Sequence, residues 1–321
     1  MVISLTGGCS MKFNLIGVPV NYGCDRNGAQ FGPETFRQHN IADLIKKEGH
    51  KVQDSGDVKI PKVSPEEKYS GHENLKYLEP IAEYNHNLAE VVYNTLNDGE
   101  FPFVLGGDHS LGMGSIAGVS RHFEEIAVIW IDAHGDINTE DTSPSGNIHG
   151  MPLAASMNVG NPRLTNIYYK GQKVKPENVY IIGARDIDSG EFEIAEKTNL
   201  NLYTMKTVRE KGVENIIEQI IEKINNSSVD GVHLSFDIDA LDKSIVPGTG
   251  TAVSEGFSLS EGKEIFTKFI SRLDITSMDF VELNPVIDDE DGKTVKNCFE
   301  LLQHIFRTFK QREEKDMECA I

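Results

Sequence analysis

The sequence predicts a three-layer α/β/α fold built on a central, mostly parallel sheet, and three observations carry that reading. Compact apolar runs, each closed by polar residues, recur along the chain. Amphipathic stretches of helical period separate several of them. No repeat, low-complexity linker or composition break divides the 321 residues, so one large domain is the simplest organisation.

The elements follow in order. "KFNLIGVPV" is a short apolar run stopped at Pro19, and reads as the first strand. "GPETFRQHNIADLIKKEG" opens with Pro33 and Glu34, as helix N-termini do, and stops at Gly49, which predicts one helix. The polar stretch 62–74 reads as a surface loop, and "PIAEYNHNLAEVVYNTLNDG" as an amphipathic helix with a glycine stop. "FPFVLGGDHS", "EEIAVIWIDAHGD", "NVYIIGARDID", "VDGVHLSFDIDALD" and "ITSMDFVELNPV" are further strands with polar C-terminal ends. "GVENIIEQIIEKINN" and "SLSEGKEIFTKFISRL" carry the helical pattern between them. Residues 1–11 read as an N-terminal extension, 12–310 as the single domain and 311–321 as a charged tail.

Charge and cysteine usage narrow the function. A net charge of −19 argues against nucleic acid, whose phosphates it would repel, and weakly suits a cationic substrate. The four cysteines are far apart with no C-x-x-C pair, which reads as reduced thiols of a cytoplasmic protein. No apolar run reaches the length of a membrane span, and "MVISLTGGCS" lacks the basic start of a signal peptide.

In an open parallel sheet, ligands bind beyond the carboxyl ends of the strands. Those ends hold the chemistry here. "VLGGDH" delivers His109, "VIWIDAHGD" delivers Asp132, His134 and Asp136, "LSFDID" delivers Asp237 and Asp239, and "DFVELNP" delivers Glu282. If the strands run on, residues two apart project from one face, so Asp132, His134 and Asp136 converge just past a strand end, as do Asp237 and Asp239. The first six of these residues read as a metal site. Four carboxylates and two imidazoles make an oxygen-rich donor set, harder than structural zinc sites. Six ligands exceed what one cation needs beside a water, and suit two cations bridged by carboxylates. Manganese fits best, with iron, cobalt or nickel as substitutes. Such a pair draws the pKa of a bound water down towards about 7. Four aspartates cancel two divalent cations, so with hydroxide added the cluster is anionic and suits a cationic electrophile better than a phosphate ester.

"GGDHS", "DAHGDINT", "SPSGNIHGMP", "SFDIDALD" and "VELNP" resemble the ureohydrolase family, and "SPSGNIHGMP" resembles its arginase branch. The similarity runs in order and with compatible spacing from about residue 12 to 310. The resemblance implies a single α/β domain and two Mn2+ per subunit. It also implies hydrolysis of L-arginine to L-ornithine and urea by a hydroxide activated at the dinuclear centre. A homo-oligomer, trimer or hexamer, is implied as well. The family pattern makes Asp132 and Asp237 bridging carboxylates, with His109 and Asp136 completing one manganese and His134 and Asp239 the other. By the same pattern Asp136 orients the hydroxide, Glu282 pairs with the substrate guanidinium, and His149 moves protons between solvent, leaving amine and nucleophile. Asn138, Ser143 and Ser145 match positions that contact the α-carboxylate. Asp188 matches the residue that holds the α-ammonium, assisted by Glu191, and Thr251 matches a threonine near the guanidinium. Asp242 is followed by Lys243 where many relatives have proline, a departure in a turn rather than in a ligand.

Other chemistries find no support. "GGDHSLGMGS" is neither a G-x-G-x-x-G nor a P-loop, and there is no H-E-x-x-H or G-x-S-x-G. A dinuclear phosphoesterase would bring a Gly-Asn-His-Glu/Asp strand end, which is missing. The alternative left within the family is agmatinase or another guanidino-compound hydrolase.

Overall fold

The computed structural model describes residues 10–319. Among them, eight strands form one sheet in which every pair is parallel. The strands are β1 (Lys12–Val18), β2 (Lys51–Asp57), β3 (Phe101–Gly106), β4 (Ile126–Ile131), β5 (Val179–Ile182), β6 (Asn201–Tyr203), β7 (Gly231–Asp237) and β8 (Ile275–Val281). Their order across the sheet is β2-β1-β3-β8-β7-β4-β5-β6. The last two strands in the chain are thus inserted between β3 and β4. This insertion makes neighbours of the four strands whose C-terminal ends carry His109, Asp132, Asp237 and Glu282.

The helices are α1 (Gly32–Gln38), α2 (Ile41–Lys47), α3 (Leu78–Asn97), α4 (Gly112–His122), α5 (Pro152–Ser156), α6 (Pro162–Thr165), α7 (Ser189–Thr198), α8 (Met205–Lys211), α9 (Val213–Asn225), α10 (Leu259–Arg272) and α11 (Lys293–Cys319). They cover both faces, and the apolar core divides accordingly. Phe103, Ile129, Phe236 and Phe280 point to one side, against Phe36 of α1, Ile217 of α9, Phe269 of α10 and Phe306 of α11. Val104, Val128 and Trp130 point to the other, against Leu88 of α3 and Ile116 of α4. Central strands buried on both faces need side chains of both orientations to be apolar, which is why these runs are nearly continuous in the sequence. Each large side chain fully buried here contributes roughly 1.5–3 kcal/mol relative to exposure. On the second face α4 lies close to α3: a Cβ on Gly118 would stand 2.6 Å from the Ala89 carbonyl oxygen, so only glycine permits that approach.

Three local differences from the sequence reading have physical causes. The single helix expected over residues 33–48 is two, because Asn40 adopts a left-handed backbone (φ 61°) between them. Asparagine tolerates that region, so the chain turns there without glycine. Strand β2 lacked an apolar run because it is an edge strand with mostly exposed side chains, tied by Asp54 and Asp57 to Arg37 of α1. Residues 311–319 of the charged tail continue α11 as helix. Most of the expected N-terminal extension, residues 1–9, lies outside the described residues.

Candidate metal centre

The ligand residues converge, but not by the strand geometry expected. β4 ends at Ile131, and Asp132 to Asp136 turn away from the sheet instead of continuing it, with Asp136 in a left-handed conformation (φ 53°). The alternation of Asp132, His134 and Asp136 on one strand face is therefore corrected to a bent loop that folds its side chains inward. Backbone amides set the bend: Asp132 Oδ1 accepts the His134 N–H at 2.8 Å, and Asp239 Oδ1 accepts the Ala133 N–H at 3.2 Å. β7 likewise ends at Asp237, whose carboxylate caps a short 3-10 turn over Ile238–Ala240 by accepting the Asp239 N–H at 2.8 Å. The two aspartates share a site through that turn, not through a common strand face.

His109 sits on a turn capped by Asp108 and stacks on the Trp130 indole at 3.8 Å between ring centroids. Its Nδ1 lies 2.9 Å from Asp132 Oδ2, 3.3 Å from Asp237 Oδ2 and 3.4 Å from Asp136 Oδ2. The Nδ1 of His134 lies 3.3 Å from Asp132 Oδ1 and 3.2 Å from Asp239 Oδ2. Two ligand groups result, His109/Asp132/Asp237 and Asp132/His134/Asp239, and Asp132 belongs to both through different oxygens. Asp136 adds a carboxylate beside the first.

This cluster is short of positive charge. Burial, and then the charge of Asp132, push the Asp136 carboxyl well above the usual range. Burial and the charges of Asp239 and Asp132 do the same to Asp237. Burial opposes charge on both imidazoles, yet the surrounding carboxylates hold His109 and His134 above their ordinary value. The histidines in turn hold the Asp132 carboxyl below its ordinary value against burial, so the carboxylates draw on whatever positive charge is near. The buried His109 Nδ1 also has no well-aligned hydrogen-bond partner, as expected of a ligand atom facing a metal position. Oxygen-rich, buried and anionic, the six residues fit divalent cations.

Above this floor, Glu282 is 1% exposed and left-handed (φ 68°). Its Oε1 accepts the His109 backbone N–H at 2.9 Å and faces His149 Nδ1 at 3.3 Å, while its Oε2 is buried without a partner. The Thr251 hydroxyl donates to Asp239 Oδ2 at 2.9 Å. On the rim, Asn138 donates to Asp188 Oδ2 and accepts from Thr142, each at 2.9 Å. Ser143 and Ser145 accept the N–H groups of Gly146 and Asn147 within their own turn. Glu191 is buried, and its two oxygens accept the Ile137 and Asp188 N–H groups. It braces the loop beneath Asn138 and forms a capping box with exposed Asp188 at the start of α7.

Sequence reasoning missed several supports. Asp108 accepts the Gly23 N–H at 2.8 Å and so anchors the 21–28 loop, to which the His149 N–H also binds through the Gly23 carbonyl. Trp130 donates to Asp132 Oδ2 at 3.1 Å. Thr142 orients Asn138. Only Trp130 carried a signal, as the chain's single tryptophan placed two residues before a ligand.

Comparison with known proteins agrees with this geometry. A sequence profile of the arginase family matches residues 11–307. An arginase of Brevibacillus brevis is 42% identical over 296 residues, covering 92% of this chain and 97% of its own. The native arginase structure from Bacillus caldovelox superposes with a TM-score of 0.86 at 39% identity, over 92% of this chain and 98% of that one. An Entamoeba histolytica arginase crystallised with L-ornithine has a TM-score of 0.84 at 32% identity, over 93% and 99%.

Proposed function

This chain belongs to the arginase family, and from that premise we propose that it hydrolyses L-arginine to L-ornithine and urea. It is a metal-dependent hydrolase acting on the C–N bond of a linear amidine. The observation that carries the substrate reading is the buried, partnerless Oε2 of Glu282 beside the aspartate cluster. A carboxylate oxygen kept from water and unpaired is costly unless a cation meets it, and a planar guanidinium is such a cation. The L-ornithine held by the Entamoeba relative supports the same reading.

We assign the metal as two manganese ions. His109, Asp136, Asp132 and Asp237 would hold one, and His134, Asp239, Asp132 and Asp237 the other. When bound, the pair supplies Lewis acidity that makes a water nucleophilic near neutral pH. Asp136 orients that nucleophile towards the guanidinium carbon, and Glu282 holds the guanidinium by its N–H groups. His149, oriented by Glu282, carries a proton to the departing amine of ornithine and exchanges it with solvent. Asn138, Ser143 and Ser145 meet the α-carboxylate, Asp188 meets the α-ammonium, and Glu191 keeps the loop between them in place. Thr251 holds Asp239 in position near the guanidinium.

The test is urea release by manganese-loaded protein on L-arginine, agmatine and other guanidines. Turnover confined to L-arginine supports the assignment, and equal turnover of agmatine reassigns the protein to the guanidino-compound hydrolases. Two further proposals go with it. The free thiols of Cys24, Cys298 and Cys319 suit a reducing cytoplasm, and no helix among the described residues is long and apolar enough to cross a membrane. Assembly into a trimer or hexamer is checked by light scattering on the purified chain.

A further inference from the structure

Beneath the ligands, the two central strands carry a polar seam through an otherwise apolar core. His233 and Ser235 of β7 pair in register with Ser277 and Asp279 of β8. All four are 2% exposed or less, on the face covered by α4. Such polar groups cost stability unless they are hydrogen-bonded, and Asp279 Oδ1 has no partner.

Following the hydrogens gives the seam a direction. Asp279 Oδ2 is met by three groups that can donate: the Ser115 hydroxyl at 2.6 Å, His233 Nε2 at 3.1 Å and the Ser235 hydroxyl at 3.4 Å. His233 can donate from Nε2 because its Nδ1 is free to accept from Ser277, 2.8 Å away. With its proton turned to Asp279, Ser235 presents only lone pairs to His109 Nε2, 2.8 Å away. His109 must then carry its proton on Nε2, which leaves Nδ1 as the lone pair aimed at Asp132, Asp237 and Asp136.

We propose that Asp279, acting through Ser235, is a positioning residue that fixes the tautomer and ring orientation of His109 for metal binding. This rests on the reading of the cluster as a two-ion site. His109 belongs to only one ligand group, so the effect falls on one ion of the two. Backbone carbonyls or carboxylates often orient metal-bound imidazoles directly, and their loss typically lowers affinity about 10–100-fold. Here a serine relays the carboxylate.

The experiment titrates metal-free protein with Mn2+, reading free ion by its electron paramagnetic resonance signal. Wild-type protein is expected to take up two ions. Ser235→Ala should weaken one of them at least about 10-fold and leave the other within about twofold. Asp279→Asn should weaken the same ion, because a neutral amide oxygen facing the three donors holds the Ser235 proton less strongly than a carboxylate does. Ser277→Ala, which touches His233 but neither Ser235 nor Asp279, should leave both ions unchanged. Wild-type affinity for both ions in Ser235→Ala and Asp279→Asn overturns the relay. So does equal weakening of both ions, or the same loss in Ser277→Ala, since each marks general damage to packing. Failure of the wild-type protein to bind two ions instead overturns the dinuclear reading, a result that the variants cannot mimic.

Discussion

His149 Nδ1 stands 3.3 Å from Glu282 Oε1, the same oxygen that accepts the backbone N–H of His109 at 2.9 Å. One carboxylate oxygen thus links the proton-carrying candidate to the peptide of a candidate metal ligand, while the other oxygen faces the site unpaired. Glu282 holds this pose in a left-handed backbone conformation (φ 68°), which costs about 1–3 kcal/mol for a residue with a Cβ. Its own N–H donates to the Gly107 carbonyl at 2.9 Å, which pins the β8 end to the loop that carries His109.

His149→Asn is expected to lower kcat by about 10²–10⁴-fold, the range for general acid–base groups. Bound metal should not change, because His149 has no hydrogen bond or ion pair with any of the six candidate ligands. Burial opposes the charged imidazole, but the Glu282 bond and the charges of Glu282 and Asp108 hold its pKa above the ordinary value. The wild-type kcat profile should therefore bend above pH 6.5, and the variant should lose that bend. An unaltered kcat across the pH range would remove His149 from the mechanism.

Asp132 lies in both ligand groups, with Oδ2 towards His109 and Oδ1 towards His134. Asp132→Ala should therefore lose both ions and nearly all activity. Asp237→Ala, the other bridging candidate, should behave alike. Asp239→Ala should weaken chiefly the ion on the His134 side. Metal analysis of each purified variant checks this, and full turnover by Asp132→Ala with one tightly held ion would sink the dinuclear reading.

What could be read from the sequence follows from what each residue contacts. β3, β4, β7 and β8 were legible because burial on both faces forces long apolar runs, and Asp132, Asp237 and Glu282 stood out by ending them. β2 was not, since an exposed edge strand needs no apolar pattern. The ligands were identified through an extended-strand argument, although turns held by backbone amides bring them together. That geometry depends on bonds between residues as distant as Ala133 and Asp239, which local spacing does not encode. The polar seam did leave a trace. In "VHLSFD" and "SMDFV", polar residues alternate through central strands that burial would otherwise make apolar.

Asp25 ties two loops at the mouth, meeting Lys68 Nζ at 2.8 Å and Lys76 Nζ at 3.2 Å, while Lys76 also donates to Asn147 at 2.8 Å. Burial would raise its pKa, but the two lysines outweigh burial and hold it below the ordinary value. A carboxyl depressed on folding stabilises above its unfolded pKa, about 3.9, and loses that contribution as pH falls through the folded one. Asp25→Asn, which keeps a residue tolerant of the left-handed backbone there (φ 51°), should cost about 1 kcal/mol at pH 7. In urea unfolding the gap from wild type should stay constant from about pH 7 to 5 and narrow only below about 4. A gap that closes between pH 7 and 5 would assign the loss to another group.

Gly118→Ala tests the close approach of α4 to α3. The added Cβ would lie 2.6 Å from the Ala89 carbonyl oxygen and 2.8 Å from Val92 Cβ. Alanine favours helix by about 1 kcal/mol, but overpacking of a rigid contact costs about 1–3 kcal/mol, so destabilisation should win. The melting temperature should fall while kcat on arginine holds. A stabilised variant would mean that the two helices separate more easily than their packing implies.

Substrate choice tests the rim. Agmatine has the guanidinium and methylene chain of arginine but no α-carboxylate, so it leaves Asn138, Ser143 and Ser145 without their proposed partner. Sites built to hydrogen-bond a group can reject analogues lacking it by as much as about 10⁴-fold. Two features reduce that here: Ser145 is exposed, so water can replace its contact, and the Ser143 and Ser145 hydroxyls are partly engaged by their own turn. Asn138 is the buried member, 6% exposed, with Asp188 taking one of its amide hydrogens and Thr142 fixing its carbonyl. Its second amide hydrogen is thereby aimed without further ordering. We expect kcat/KM for L-arginine at least about 10²-fold above agmatine, or about 2.7 kcal/mol of transition-state discrimination. Asn138→Ala combined with Ser145→Ala should shrink that ratio mainly by weakening arginine turnover, and more through Asn138, whose loss also frees Asp188. Equal kcat/KM for the two substrates in the wild-type protein would overturn arginine specificity while leaving the metal site and the guanidine hydrolysis in place.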